Sequence, residues 1–276
     1  MKNEVWCFFL IPVFCFATGA ALYVRNESAV QARFERAREQ WRAGENEKAV
    51  ELYLDLQRKH PRSRYAARAL WEAAAIYYYR LYDLSKAIYY FEELISSYPR
   101  SEYAVECRFK LAEIYERELY DPARALEHLV AVRLSLSAAD RDDEIQFRIA
   151  DAYFRMGNFE TAVRHFKDVI RESDDPHLAQ KALLRLGTVM QIQKRYVDSI
   201  EYFQRVLEET DCGDCSLQAR MGLIESLEHE DRIDEAIRLA EQLDGSGPES
   251  EELRGILLQR LKEKRKHYEP TLWSRR

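Results

Sequence analysis

The chain has 276 residues, of which 47% are hydrophobic and 33% are charged. Only 9 glycines and 7 prolines are present, so the composition indicates a globular protein with a substantial core and disfavours an all-β fold or long disordered stretches. The 42 Lys and Arg residues against 48 Asp and Glu residues give a net charge of −6. We therefore expect no nucleic-acid partner.

The amino-terminal end consists of a short tail, residues 1–4, and an uncharged segment at residues 5–24. A helix of that length spans roughly 30 Å, the hydrocarbon thickness of a bilayer, which favours a transmembrane anchor. A cleaved signal peptide is the alternative, because Lys2 precedes the segment and small residues such as Ala17 and Ala21 could form a cleavage site. Cys7 and Cys15 are expected to fill apolar space in this segment.

Charge flanking this segment bears on the orientation of the chain. Lys2 lies on one side, whereas five arginines lie between residues 25 and 42, so the positive-inside rule would hold the rest of the chain in the cytosol. Residues 25–70 carry 11 basic and 7 acidic residues, while residues 71–248 carry 22 and 35. The basic segment could contact anionic lipid or could simply form solvated helix faces.

A small residue recurs along the chain at nearly constant intervals. The recurring positions are Ala49, Ala87, Ala125, Ala162, Ser199 and Ala236, separated by 38, 38, 37, 37 and 37 residues. Mostly apolar residues lie four and seven positions downstream, and mostly small ones lie twelve positions upstream. This spacing predicts two packed helices per repeat, with turn residues such as Gly44, Asp83 and Gly157 between them.

At these positions the chain resembles a tetratricopeptide repeat (TPR) protein. The second repeat matches the signature with Trp71, Ala74, Ala75, Tyr78, Ala87, Phe91, Leu94 and Pro99. Glu113 and Ile224 depart from it, because each stands where a small residue is usual. The resemblance implies an all-α, TPR-like α-solenoid of about six repeats over residues 30–248. The linkers at residues 60–65 and 98–103 resemble those of bacterial envelope TPR proteins, such as the outer-membrane β-barrel assembly lipoprotein and the periplasmic cell-division coordinator.

Residues 249–267 are predicted to form one further amphipathic helix. Leu253, Ile256, Leu257 and Leu261 are expected to share its apolar face and to cover the open end of the array. The remaining tail, residues 268–276, shows no pattern.

The sequence contains none of the common catalytic or nucleotide-binding motifs, so we expect no enzyme activity, no catalytic residue and no cofactor. His128 and His165 occupy equivalent places in successive repeats, but too few other ligands accompany them to predict a metal site. Cys212 and Cys215 could form a local disulfide if the domain is exported, or could stay as inert thiols.

The TPR resemblance implies that the first helices of successive repeats line a concave groove. Groove-facing offsets select Ile76, Tyr79, Arg80, Lys110, Ile114, Arg117, Phe147, Asp151, Phe154 and Arg155. Aromatic anchors mixed with arginine are typical of a peptide-binding surface, although the same residues could merely solvate the inner face.

We therefore expect a non-enzymatic scaffold that binds a protein or peptide segment within a multiprotein complex of the bacterial envelope. The expected location is the inner membrane, held by residues 5–24 as a single span, with the folded domain in the periplasm. The alternatives are a signal-cleaved periplasmic module that delivers a client protein and a cytosol-facing membrane adaptor.

Overall fold

The computed structural model describes residues 27–135, 143–208, 213–243 and 248–273. These ranges contain thirteen helices and no strand, which confirms the predicted all-α class. The helices are α1 (27–42), α2 (Asn46–Lys59), α3 (Ala66–Tyr79), α4 (Leu84–Ser97), α5 (Glu102–Arg117), α6 (Pro122–Ser135), α7 (Asp143–Arg155), α8 (Phe159–Glu172), α9 (Pro176–Ile192), α10 (Tyr196–Glu208), α11 (Gly213–His229), α12 (Ile233–Glu241) and α13 (Pro248–Trp273).

The predicted membrane or signal segment, residues 5–24, lies outside the described residues. Among the helices that are described, none combines the length and the apolar character needed to cross a bilayer.

The chain divides into two compact units. Unit 1 is Met1–Tyr120 and contains α1 to α5, and unit 2 is Asp121–Arg276 and contains α6 to α13. Within each unit, helices that follow one another in the chain pack side by side, and the short connections between them make neighbours antiparallel. First helices of successive repeats also touch within a unit: α3 contacts α5, α7 contacts α9, and α9 contacts α11.

The recurring small residues lie in the core, as the repeat pattern predicts. All six, from Ala49 to Ala236, are fully buried. Aromatic residues four positions further on, including Tyr53, Phe91 and Phe166, are buried as well. Small side chains let two helix axes approach to about 8–10 Å, and the large side chain one turn later fills the space beside them.

In each repeat, one residue of the turn between the two helices has a backbone conformation in the left-handed region. These residues are Gly44, Tyr82, Tyr120, Gly157, Lys194 and Asp231, with φ between 52° and 83°. The second helix then begins with a capping side chain in several repeats: Asp83 accepts from the Lys86 backbone N–H, Asp121 from that of Arg124 and Asn158 from that of Thr161.

The two departures from the TPR signature have different structural outcomes. Glu113 is half-buried and turns toward Lys110 and Arg117, so the large side chain leaves the helix interface. Ile224 is fully buried, so that repeat accommodates a large side chain in its core, and Gly222 lets α11 approach Phe203 on α10 of the preceding repeat. Both Gly187 and Gly222 lie against the ring of Phe203, which packs between α9 and α11.

Helix α13 packs on α12, and its buried face is narrower than the sequence indicated. Leu257 and Leu261 are buried in the core of unit 2, whereas Leu253 and Ile256 are 37% and 58% exposed. The expectation that all four share one buried face is therefore wrong. Arg260 donates to Glu228 at 2.7 Å and Lys264 lies 3.6 Å from the same carboxylate, which orients Leu257 and Leu261 toward α11 and α12. The helix continues to Trp273, into the segment expected to be a patternless tail.

Candidate partner-binding surface

The predicted groove residues lie on or next to α3 and on α5 in unit 1, and on α7 in unit 2. Ile76 and Ile114 were expected to face a partner, but they are only 3% and 0% exposed. Ile76 packs in the core of unit 1 together with Phe34 and Tyr53. Both residues are therefore structural, because a side chain without exposed surface cannot contact a ligand.

In unit 1, Tyr79 and Lys110 come together on the surface. Tyr79 is 48% exposed and meets Tyr78 edge to face, with ring centroids 4.7 Å apart. Lys110 Nζ lies 5.2 Å from the Tyr79 ring centroid and 2.7 Å from Glu113 Oε2. Burial by itself would lower the pKa of Lys110, but its hydrogen bonds to Glu113 and Tyr79 raise that pKa above its usual value. The ammonium group is therefore a fixed positive charge beside an exposed aromatic ring.

The other predicted residues of unit 1 surround this pair. Arg117 is exposed and lies 3.4 Å from Glu113, and Arg80 is exposed at the carboxyl end of α3. Glu118 accepts a hydrogen bond from the Tyr78 hydroxyl at 3.4 Å. Desolvation, followed by the charge of Glu118, raises the pKa of Tyr78, so the phenol remains a hydrogen-bond donor.

In unit 2, a nearly buried carboxylate holds two arginines. Asp151 is 9% exposed and accepts from Arg155 Nε at 2.7 Å and from Arg185 Nε at 2.8 Å. The guanidinium of Arg185 also lies over the ring of Phe154, 5.3 Å from its centroid. The side chains of Arg155 and Arg185 are 45% and 32% exposed, so a carboxylate of a partner can reach their guanidinium groups. Asp151 itself orients the arginines and does not face a ligand.

The sequence did not predict the environments of two residues in this region. Phe147 is half-buried against Phe166, with centroids 5.7 Å apart, so it supports the surface from below. Arg185 was missed because it lies on α9 outside the groove-facing offsets, and its long side chain reaches back to α7. No local sequence signal indicated Arg185, because its partner Asp151 lies 34 residues earlier in the chain.

The remaining candidates for chemistry have structural environments. His165 is half-buried, stacks on Tyr153 and lies 2.9 Å from Gln146 Nε2. No group of three or more metal-ligating side chains occurs within the ranges that the structure describes.

Burial raises the pKa of the Cys107 thiol well above its usual value, so this thiol is unreactive. Cys215 is buried, but Cys212 lies outside the described residues, so the disulfide stays a prediction.

Antiparallel helix pairs with small residues at fixed interface positions define a helical-repeat protein that presents residues of its first helices to partners. A tetratricopeptide repeat family model matches residues 34–102 and 147–211. The chain belongs to the tetratricopeptide repeat family, as its signature residues predicted.

Several solved structures have a similar fold. A tetratricopeptide repeat protein from Parabacteroides merdae is 15% identical with a TM-score of 0.56, and the match covers 86% of each chain. YrrB, described as a TPR protein with an unusual peptide-binding site, is 18% identical with a TM-score of 0.52, over 68% of this chain and 90% of YrrB. PilW, described as a type IV pilus biogenesis factor, is 19% identical with a TM-score of 0.51, over 83% of this chain and 98% of PilW. A search of curated proteins found no match.

Proposed function

We propose that the protein is a non-enzymatic scaffold that binds an extended segment of a partner protein along the first helices of its repeats. The observation that carries this proposal is a repeated pairing of an aromatic ring with a cation. Lys110 lies over Tyr79 in unit 1, and Arg185 lies over Phe154 in unit 2. Aromatic and arginine side chains contribute most of the binding free energy in many protein interfaces.

The charges at the two positions favour an acidic partner segment with apolar residues. Lys110 is balanced by Glu113, so its contribution is mainly to orient Tyr79. Arg155 and Arg185 both contact Asp151, and their guanidinium groups stay partly exposed beside Phe154. An acidic side chain of the partner would pair with these arginines while an apolar side chain packs on Phe154.

We further propose that residues 5–24 anchor the protein in a bacterial inner membrane, with the repeats in the periplasm as part of an envelope complex. The uncharged segment and the envelope-type linkers support this topology, whereas the arginines at residues 25–42 favour a cytosolic domain. A fusion of alkaline phosphatase after residue 276 should be active in a bacterial host. An inactive phosphatase together with a fluorescent cytosolic reporter would contradict it, and amino-terminal sequencing would detect a cleaved signal peptide.

The binding surface is tested by affinity capture with the full chain. Tyr79→Ala combined with Phe154→Ala should reduce affinity for the captured partner at least about thirtyfold, because truncating a true anchor costs about 2 kcal/mol or more. Tyr89→Ala is the matched control, since Tyr89 is an exposed tyrosine on a second helix. Far-ultraviolet circular dichroism should show the same helicity in all variants.

The opposite pattern would contradict the proposed surface. If the double variant binds normally while removal of residues 268–276, or replacement of the exposed Arg33, Arg36 and Arg42 by alanine, abolishes capture, the ends of the chain carry the interaction.

A further inference from the structure

Two of the left-handed turn residues are tyrosines with little packing. Tyr82 and Tyr120 both have φ of 52° and are 84% and 79% exposed. Each stands in the same tripeptide, Leu-Tyr-Asp, at residues 81–83 and 119–121. The first and fourth repeats have Gly44 and Gly157 at the equivalent position.

Stability does not explain a tyrosine at these turns. A bulky side chain is disfavoured in the left-handed region, whereas glycine adopts it without steric cost. A tyrosine could offset that cost by burying its ring, but these two rings are largely in solvent. Two successive repeats of unit 1 therefore place an exposed aromatic ring on a strained turn, and this combination points to a functional constraint.

Other exposed apolar side chains lie at the same edge of unit 1. Because neighbouring helices are antiparallel, α1, α3 and α5 run in the same direction and their carboxyl ends meet at one edge. Of the six exposed large apolar or aromatic side chains described in unit 1, five lie at these ends and only Tyr89 lies elsewhere. We call this set the tyrosine edge; it consists of Trp41, Tyr79, Tyr82, Leu119 and Tyr120.

We propose that the tyrosine edge binds a proline-rich segment of a partner protein in the polyproline II conformation. Packed helices are about 8–10 Å apart, and α3 contacts α5, so Tyr82 and Tyr120 repeat at about that spacing. A polyproline II helix rises about 3.1 Å per residue with three residues per turn, so every third residue recurs after about 9.3 Å. One ring of the edge can therefore contact each turn of such a segment.

The donors of the edge also fit this occupant. A polyproline II segment has no internal hydrogen bonds, so its backbone carbonyls need external donors. Tyrosine hydroxyls and the Trp41 indole N–H supply donors beside the apolar faces that pack on proline rings.

The position of the edge disfavours a membrane as the occupant. Residues 5–24 join the structure at the amino end of α1, whereas the tyrosine edge is at the carboxyl end of α1. Sixteen helical residues at 1.5 Å each place these two ends about 24 Å apart. The edge is therefore at the end of α1 that is distant from a membrane segment at residues 5–24.

The test measures binding of fluorescein-labelled decaproline to the full chain by fluorescence anisotropy, with a Gly-Ser peptide of equal length as the peptide control. Wild-type protein should bind decaproline saturably. The double variant Tyr82→Gly/Tyr120→Gly should raise the Kd about thirtyfold or more. Because glycine relieves the left-handed strain, the same variant should unfold at a temperature no lower than that of wild type. A loss of binding then cannot come from unfolding.

The control variant is Lys194→Gly, which relieves the same backbone strain in unit 2 without removing a ring. It should leave decaproline binding unchanged. The test does not depend on the proposed groove, since Tyr82 and Tyr120 are not among the groove residues. The proposal is wrong if wild type shows no saturation up to about 1 mM peptide, or if the double variant binds as well as wild type. A second measurement uses proteoliposomes, in which brominated lipids quench the tryptophan fluorescence of a protein that contacts the membrane. The proposal is also wrong if the double variant changes this quenching and does not change decaproline binding, because the edge would then contact a membrane.

Discussion

Gly222 on α11 is the position where adding one methyl group should destabilise the protein most clearly. A Cβ atom added to Gly222 would lie 2.4 Å from Phe203 Cζ, and one added to Gly187 would lie 2.5 Å from Phe203 Cε1. The Phe203 ring is fully buried, so it has no solvent-filled space into which it can move. The backbone at Gly222 is also held in place, because its carbonyl accepts from Gln191 Nε2 at 2.9 Å and from Ser226 Oγ at 2.8 Å.

Two opposing effects set the size of the change in Gly222→Ala. Alanine is favoured over glycine in a helix by about 1 kcal/mol. Overpacking of a rigid core costs about 1–3 kcal/mol, and a contact this short between a backbone-fixed methyl group and a buried ring belongs at the upper end. We therefore expect Gly222→Ala to lower the free energy of unfolding by about 1–2 kcal/mol in total.

Gly255→Ala is the matched control, because the same change is made inside a helix with no neighbouring atom within 4 Å. It should raise the free energy of unfolding by about 0.5–1 kcal/mol. Urea denaturation followed by far-ultraviolet circular dichroism measures both variants. Adding Phe203→Leu should reduce the penalty of Gly222→Ala, since the shorter side chain makes room for the methyl group. Equal effects of the two Gly→Ala changes would refute the reasoning.

The repeat fold could be predicted because it needs the same residue types at the same interfaces. Ala87 and Phe91 illustrate this: a small residue and a large one, four positions apart, recur wherever two helices must pack closely. Such local periodicity does not depend on knowing distant contacts. The left-handed turns were only partly predictable, because Gly44 and Gly157 indicate them whereas Tyr82 and Tyr120 do not.

The candidate surface was less predictable, because exposure depends on neighbouring helices. The offset rule assigned Ile76 and Ile114 to the groove, but their long aliphatic side chains are buried between helices. Their apolar character was a sequence signal for the core. Arg185 was missed for the opposite reason, since a long side chain can reach a surface that its own helical position does not face. Pairing across 34 residues, as between Arg185 and Asp151, is not encoded by any local pattern.

Two further variants test local contacts. Asn158→Ala removes the side chain that accepts from the Thr161 backbone N–H at the start of α8, so it should lower the free energy of unfolding by about 1 kcal/mol in urea denaturation. An unchanged midpoint would show that the cap contributes nothing. His165→Gln tests a titration: burial first, and then the charges of Arg133 and Arg164, lower the pKa of His165. Because the unfolded chain then binds a proton at higher pH than the native protein does, the stabilisation is complete above the usual pKa near 6.5 and is lost as pH falls below it. Wild type should therefore lose more stability than His165→Gln between about pH 7.5 and pH 5.5, and equal losses would mean that the native imidazole protonates freely.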